Sequence, residues 1–135
     1  MKYLLTLILI SCLTVVNAQA TLKYNTVASK LIDKGQEWKE AEWKDVDVFL
    51  SVVTKAEGQQ GRVKVYTDTP QVYDLIHISK TGKDEEGSWI IWYAEDRDGT
   101  NCHVKLKLWK DEDNFYDQLY VFYSTFSFVY AINSI

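Results

Sequence analysis

Apolar and polar residues alternate with a period of two along residues 101–109. One set is apolar, and the other carries the positive charges: Cys102, Val104, Leu106 and Leu108 against His103, Lys105, Lys107 and Trp109. Because successive side chains of a β-strand point to opposite faces, this pattern predicts a strand with one face in a core. Residues 89–94 are apolar throughout, which predicts a second strand, covered on both faces. With the Asp98-Gly99 turn between them, the two segments predict a central β-hairpin.

The turn decides which face of the first strand meets the core. A two-residue type I′ loop at Asp98-Gly99 would place the odd-numbered set, Trp89, Ile91 and Tyr93, opposite the apolar residues of the second strand. A type I turn over residues 97–99, with Gly99 left-handed in a bulge, would place there the even-numbered set, Ile90, Trp92 and Ala94. Asp followed by a left-handed Gly favours the second register. The odd-numbered set then lies beside Lys105 and Lys107 and needs a second layer, a partner or a ligand.

The same alternation predicts strands over residues 46–53, 62–66 and 71–79, and residues 116–132 predict two strands or one long bent strand. Residues 21–35 fit two interpretations. Their apolar positions match one helix face, but they also fit a strand that ends at the Asp33-Lys34-Gly35 turn, and the β character of the rest favours the strand. About seven strands with short connections predict an all-β fold, an antiparallel meander that forms a small sandwich or barrel.

Residues 1–18 have the pattern of a secretory signal peptide. Lys2 precedes an apolar run, and Val16-Asn17-Ala18 predicts cleavage before Gln19, which leaves residues 19–135 as a single β domain. The run is shorter than the ~20 apolar residues that a membrane span needs. We therefore expect export, to the periplasm or the medium, without a membrane span. Residues 9–12 also resemble a lipobox, but an apolar stretch follows Cys12 where a polar tether is expected, so lipid anchoring at Cys12 is disfavoured.

Net charge limits the classes of partner that we expect, and cysteine content limits how the domain can be stabilised. The formal net charge of −4 argues against nucleic acid, because phosphate binding requires a basic stripe. Cys102 is the only cysteine after residue 18, so the domain has no internal disulfide and its core must supply its stability. The place of Cys102 on the apolar side of its strand predicts a buried thiol that behaves as a small hydrophobic group.

No catalytic or metal-binding residue is predicted. His77 falls within the alternation of Tyr73 and Leu75, and Cys102 and His103 are adjacent in a strand, so that they point apart and cannot act as a pair. The oxygen-rich segment 96–101 lacks the full calcium-loop pattern and predicts only a turn. A pair of carboxylates for glycoside hydrolysis stays open, because a sequence does not show which carboxylates converge. We expect no cofactor.

Aromatic residues, at 14% of the chain, are the feature above background. Trp and Tyr combine a flat apolar body with a polar group, which suits sugar stacking and protein interfaces as well as core sealing. The pattern leaves five of them exposed or half-exposed: Trp38, Trp43, Trp89, Tyr93 and Trp109. These residues predict an exported, non-enzymatic β-domain that binds a glycan or a protein through an aromatic face. The alternatives are a structural subunit that self-associates and a glycan-active enzyme, and the oligomeric state stays open.

The order of several short segments along the chain resembles that in a known class of protein. Val63-Lys64-Val65-Tyr66, Gln71-Val72-Tyr73-Asp74 and Leu119-Tyr120-Val121-Phe122-Tyr123-Ser124 follow the pair Trp38 and Trp43. In this order the chain resembles small uncharacterised secreted or phage-associated bacterial β-proteins over residues 35–132. The resemblance implies no activity and no catalytic or binding residue.

Overall fold

Eight antiparallel strands follow one another around a closed barrel. The structure, a computed structural model, describes residues 20–55, 60–110 and 116–135. The strands are β1 (Ala20–Asp33), β2 (Lys44–Thr54), β3 (Gly61–Val65), β4 (Gln71–Lys83), β5 (Gly87–Asp96), β6 (Asn101–Trp109), β7 (Asp117–Phe122) and β8 (Phe126–Ser134). Each strand pairs with its neighbours in sequence, and β8 pairs with β1 to close the barrel. The predicted all-β antiparallel meander is confirmed, with eight strands in place of about seven.

The sequence predicts export without a membrane span. The described residues contain no helix with the length and apolar character to cross a membrane. The predicted signal peptide, residues 1–18, and the lipobox cysteine Cys12 lie outside the described residues, so export stays a prediction.

Strand β1 resolves the ambiguity between helix and strand over residues 21–35. It pairs with β2 along one edge and with β8 along the other, and the register of both pairings shifts between Thr26 and Ala28. Such a bulge adds one residue and changes which side chains face inward. The apolar residues on either side of it therefore lose the period of two, and their spacing matched a helix face for this reason.

The central hairpin has the register that the type I turn predicts. Ile90, Trp92 and Ala94 pair with Leu106, Val104 and Cys102, and Gly99 has a φ of +80°. The carboxylate of Asp96 holds the turn, since its Oδ1 accepts hydrogen bonds from the backbone N–H groups of Asp98 (3.0 Å) and Thr100 (2.9 Å). The two-residue alternative is wrong, and the odd-numbered residues of β5 face outward.

Side chains from all eight strands form one cluster inside the barrel. Trp92, the largest fully buried residue, is 2% exposed, and Val104 and Leu119 are fully covered. The thiol of Cys102 is buried in the same cluster, as predicted. An eight-stranded barrel is just wide enough for side chains to fill its interior or for one small ligand, and here the described side chains form a core cluster in it.

Strand β4 corrects the predicted place of His77. The register with β5 shifts between Leu75 and His77 and again between Ile78 and Lys80. The first shift inserts one residue, so His77 leaves the inward face of Tyr73 and Leu75 and pairs with the outward Tyr93. The simple alternation that we assumed for His77 is wrong for this reason.

Candidate functional site

Three rows of outward side chains cross β4 to β7 on one side of the barrel. Their inward neighbours, among them Trp92, Val104 and Leu119, belong to the core, so the alternate residues point away from it. The rows are His77, Tyr93, His103 and Phe122; Lys80, Ile91, Lys105 and Tyr120; and Gly82, Trp89, Lys107 and Gln118. We refer to these twelve residues as the aromatic–lysine face.

The first row is a run of ring contacts across neighbouring strands. The Tyr93 ring lies between those of His77 and His103, with 4.7 Å between ring centroids on each side. Tyr93 is 42% exposed, and both histidines are exposed. Phe122 ends the row and stacks on Tyr120 of the next row, with centroids 5.5 Å apart and an interplanar angle of 13°. Ring contacts therefore join β4, β5 and β6 in this row, and a separate stack joins Phe122 to Tyr120 on β7.

Lys105 occupies the middle of the second row. Its Nζ lies 5.7 Å from the Trp89 ring centroid and 5.3 Å from that of Tyr120, distances at which a cation is attracted to an aromatic face. Among the described residues, no carboxylate lies within 4.0 Å of this ammonium group. Burial lowers the pKa of Lys105 and the neighbouring charge of Lys107 lowers it further, while the negative charge of Asp84 partly opposes both effects. Lys105 is thus a half-buried cation whose close partners are two rings.

The third row places Trp89 flat against the sheet. Gly82 pairs directly with Trp89, and a Cβ atom at Gly82 would overlap the Trp89 indole. Because position 82 has no side chain, the Trp89 ring can lie with one face over the backbone of β4 and with its other face outward. Trp89 is half-buried in consequence.

Trp109 follows Lys107 on the outward side of β6, two residues further along the strand. Lys107 Nζ lies 4.0 Å from the Trp109 ring centroid and 3.7 Å from Glu86 Oε2. The Lys107 side chain is 15% exposed and the Glu86 side chain is 64% exposed, so water screens the pair mainly from the glutamate side. Trp109 is half-buried at the border of the aromatic–lysine face.

The connection between β1 and β2, residues 34–43, folds over the outer side of β7 and β8. Lys30, 5% exposed, donates a hydrogen bond of 3.0 Å from Nζ to the backbone carbonyl of Trp38, and its Nζ lies 4.3 Å and 5.0 Å from the Trp38 and Trp43 ring centroids. Burial lowers the pKa of Lys30. Val129 faces outward beside Lys30 and Tyr120 yet is fully covered. The connection is therefore attached through a buried lysine.

This attachment brings two of the predicted tryptophans to the border of the face. The Trp38 ring centroid lies 6.1 Å from that of Tyr120, and Trp43 meets Trp38 edge to face at 5.9 Å. Trp38 and Trp43 remain 42% and 40% exposed. Successive contacts therefore run across this side of the barrel, each residue touching the next: Trp43, Trp38, Tyr120, Lys105 and Trp89.

All five predicted residues lie on the outside of the barrel. Trp89 and Tyr93 belong to the aromatic–lysine face, Trp109 and Trp38 border it, and Trp43 is one ring further away. Sequence reasoning missed Tyr120 and the matching of Gly82 to Trp89. The outward position of Lys105 was readable from the alternation of β6, whereas the place of Tyr120 depends on a register that its aromatic-rich segment does not reveal.

A second polar group lies at one end of the barrel. Gln71 Oε1 accepts hydrogen bonds from the hydroxyls of Tyr73 (3.0 Å) and Tyr130 (2.6 Å), and Asp96 Oδ2 accepts one from Tyr123 (2.8 Å). Burial raises the pKa of Tyr130 to about 12 and raises those of Tyr73 and Tyr123 as well. Burial raises the pKa of Asp96, but hydrogen bonds from Tyr123 and two backbone N–H groups outweigh it and hold that pKa below its usual value.

This end of the barrel is built for hydrogen bonding. Burial, together with the charge of Asp96, raises the pKa of the Cys102 thiol to about 11. Phenols and a thiol that keep their protons at neutral pH donate hydrogen bonds but are poor nucleophiles. We interpret the group as a polar seal of the barrel end.

Exposed carboxylates surround a depression of about 500 Å³ beneath residues 36–42. Asp33, Glu40 and Glu42 line it together with Lys30 and Lys44. Glycoside hydrolysis needs two carboxylates in different environments, one of them shielded so that it keeps a proton. All three of these carboxylates belong to exposed residues, so the depression favours no acid–base pair. Within the described ranges, no three His, Cys, Asp or Glu residues are grouped so that they could hold a metal ion.

Comparison of the chain with protein-family models, with curated proteins and with solved structures finds no match.

Proposed function

We propose that the chain is an exported, non-enzymatic binding domain that takes a glycan chain across the aromatic–lysine face. The proposal rests on one observation: rings from four strands lie side by side on the outside, while side chains fill the inside. The core cluster occupies the described part of the barrel interior, so we place the ligand on the outer surface. Sugar rings have apolar faces that stack on aromatic rings, and their hydroxyls bond to neighbouring polar groups.

The lysines favour a glycan over a protein partner. The cores of protein–protein interfaces are enriched in Tyr, Trp and Phe but depleted in Lys. On this face Lys105 lies between Trp89 and Tyr120, in the middle of the ring surface, and Lys80 is exposed in the same row. A protein surface would have to remove these ammonium groups from water, whereas a hydrated sugar chain can bond to them.

The same lysines disfavour self-association through this face. A symmetric dimer brings the same patch of both subunits together. Contact between two such faces would bring the lysines and histidines of both copies into one interface, without a carboxylate among the twelve residues to pair with them. The apolar surface is also divided by these charges and forms no contiguous patch of the kind that marks assembly interfaces.

A glycan array probed with the domain tests the proposal directly. Trp89→Ala and Tyr93→Ala should each weaken any glycan signal about tenfold, which corresponds to the loss of one stacking contact. Tyr66→Ala is the matched control: Tyr66 is 43% exposed and contacts Phe49 at 5.1 Å, at the end of β3 and outside the twelve residues of the face. This control should bind as the unaltered protein does.

Three results would contradict the proposal. An array without signals, obtained with folded protein, would remove glycan binding. Release of reducing sugar ends from a bound glycan would replace the binding domain with an enzyme. A mass that rises with concentration in light scattering, and that Trp89→Ala returns to the monomer, would assign the face to self-association.

A further inference from the structure

The aromatic–lysine face differs in charge from the rest of the chain. The chain is acidic, with 19 Asp and Glu residues against 15 Lys and Arg residues. The twelve residues of the face nevertheless include three lysines and two histidines and no carboxylate. Among the described acids, Glu95 and Asp96 lie at the hairpin turn and Asp84 and Glu86 at the opposite end of β5, where Glu86 lies 3.7 Å from Lys107. Twelve residues with an excess of positive charge on an acidic protein are complementary to a negatively charged partner.

Lys105 is the cation that such a partner would meet. Its ammonium group touches two rings and, among the described residues, has no carboxylate within 4.0 Å. The charge of Asp84 favours this ammonium group only from beyond direct contact, so its partial loss of water carries a cost that a ligand anion in contact with it would reduce. Lys107, 15% exposed in its side chain, adds a second positive charge to the neighbourhood and, in the part of the chain that the structure describes, pairs with the exposed Glu86 at 3.7 Å.

The two rings beside Lys105 define the rest of the subsite. Trp89 lies on one side, flat over Gly82, and Tyr120 lies on the other, fixed by its stack on Phe122 and its hydroxyl bond of 2.5 Å to Gln118. Both ring centroids are within 5.7 Å of the Lys105 Nζ. One sugar unit that stacks on either ring can therefore place a charged substituent against the ammonium group.

Resting on the proposed function, we infer that the glycan is anionic, with a carboxylate or sulfate group that pairs with Lys105 while its sugar ring stacks on Trp89 or Tyr120.

Two pairs of polymers separate the charge of a glycan from its backbone. Polygalacturonate and its methyl ester share one backbone, and dextran sulfate and dextran share another. Affinity electrophoresis of the unaltered domain should show stronger retardation by the anionic member of each pair that binds. Added NaCl should weaken this retardation, because salt screens exposed charges.

Lys105→Met supplies the decisive variant, because Met keeps most of the apolar stem and removes the charge. We expect about a tenfold loss of affinity for the anionic polymer, the size of one charge-assisted hydrogen bond. Lys64→Met is the matched control, since Lys64 Nζ lies 4.7 Å from the Tyr66 ring centroid on β3 and forms a similar lysine–ring pair away from the face. Its affinity should stay unchanged. Near-ultraviolet circular dichroism verifies the fold of both variants.

The outcomes separate the inference from the proposed function. Equal retardation by charged and neutral members, lost in Trp89→Ala, would leave a neutral-glycan site and overturn the inference alone. Absence of retardation by all four polymers would overturn the inference, and an array without signals would then decide the proposed function. Unchanged affinity in Lys105→Met would also overturn it. Tighter binding of single-stranded DNA than of either anionic polymer, lost in Lys105→Met, would assign the face to nucleic acid instead.

Discussion

Truncation of two leucines on β6 measures whether the barrel interior is closed, on which the surface assignment of function depends. Leu106 and Leu108 have the same side chain and point to the same side of one strand, but Leu106 is 4% exposed and Leu108 is 38% exposed. Leu106 lies between Ile90 of β5 and Leu119 of β7, whereas Leu108 pairs with Ser88 at the barrel end. We compare Leu106→Ala with Leu108→Ala.

The expected costs differ because only one substitution leaves a cavity. Truncation of a buried leucine costs about 2–5 kcal/mol, which combines lost transfer energy with an unfilled cavity. At Leu106 the hydrogen-bonded strands on both sides restrict collapse, so we expect about 3 kcal/mol. At Leu108 water fills the space, and only part of the roughly 1.5–3 kcal/mol for full burial is lost, so we expect about 1 kcal/mol.

Urea unfolding followed by tryptophan fluorescence gives both values. A small domain has about 5–15 kcal/mol of stability, so both variants should remain folded without denaturant. The slope of the free energy against urea should match that of the unaltered protein, which verifies that the same surface is exposed on unfolding. Equal costs for the two variants would refute the closed interior, and a larger cost for Leu108→Ala would refute the placement of the strand. If Leu106→Ala does not fold, Leu106→Val gives the same comparison at a smaller cost.

Three further predictions follow from local geometry. Gly99→Ala should destabilise the domain by about 1 kcal/mol in urea unfolding. A φ of +80° costs an L-residue about 1–2 kcal/mol, and the lower flexibility of the unfolded variant offsets part of this cost. An unchanged stability would contradict the left-handed turn. Burial raises the pKa of Cys102 to about 11 in the folded state, above its unfolded value of 9.0. The unfolded state therefore loses the thiol proton first, and the free energy of unfolding should fall as pH rises above 9, by up to about 1.4 kcal/mol per pH unit. Cys102→Ala should flatten the decline between pH 9 and 10 in urea titrations, and an unchanged decline would exclude the thiol as its source. Arg62 and Asp74 meet at 2.8 Å with side chains 60% and 56% exposed, so a double-mutant cycle should give a coupling below about 1 kcal/mol, and a larger value would mean that the pair is shielded from water.

The sequence allowed the prediction of those features that a strand and its turn determine locally. The alternation of β6 and the chemistry of Asp98-Gly99 predicted both the inward set of the hairpin and its register. The bulges of β1 and β4 could not be predicted, because an extra residue is defined only against the neighbouring strand. His77 was misplaced for this reason. Barrel closure was open for a similar reason, since it depends on the pairing of β1 with β8 at the two ends of the domain.

The candidate site was predictable in composition but not in arrangement. Exposed positions for Trp89 and Tyr93 followed from the hairpin alone, and the structure places both outward. Their neighbours come from other parts of the chain: Gly82 precedes the hairpin, and Tyr120 lies beyond β6. Contacts of this kind follow from the order of strands around the barrel. Trp38 reaches Tyr120 because the connection between β1 and β2 is held against the outer surface, where Lys30 bonds to the Trp38 carbonyl.

The alternation of rings and lysines has a physical consequence beyond the recognition of a ligand. A contiguous row of exposed rings would form an apolar patch of the kind that drives association between copies. Placing Lys105 between Trp89 and Tyr120 interrupts such a patch, because each cation is attracted to the faces of its neighbouring rings and retains part of its water. The rings then remain accessible to a narrow, hydrated ligand, while a broad protein surface would have to desolvate every lysine at once. The arrangement that limits self-association therefore also selects a chain-like, polar partner.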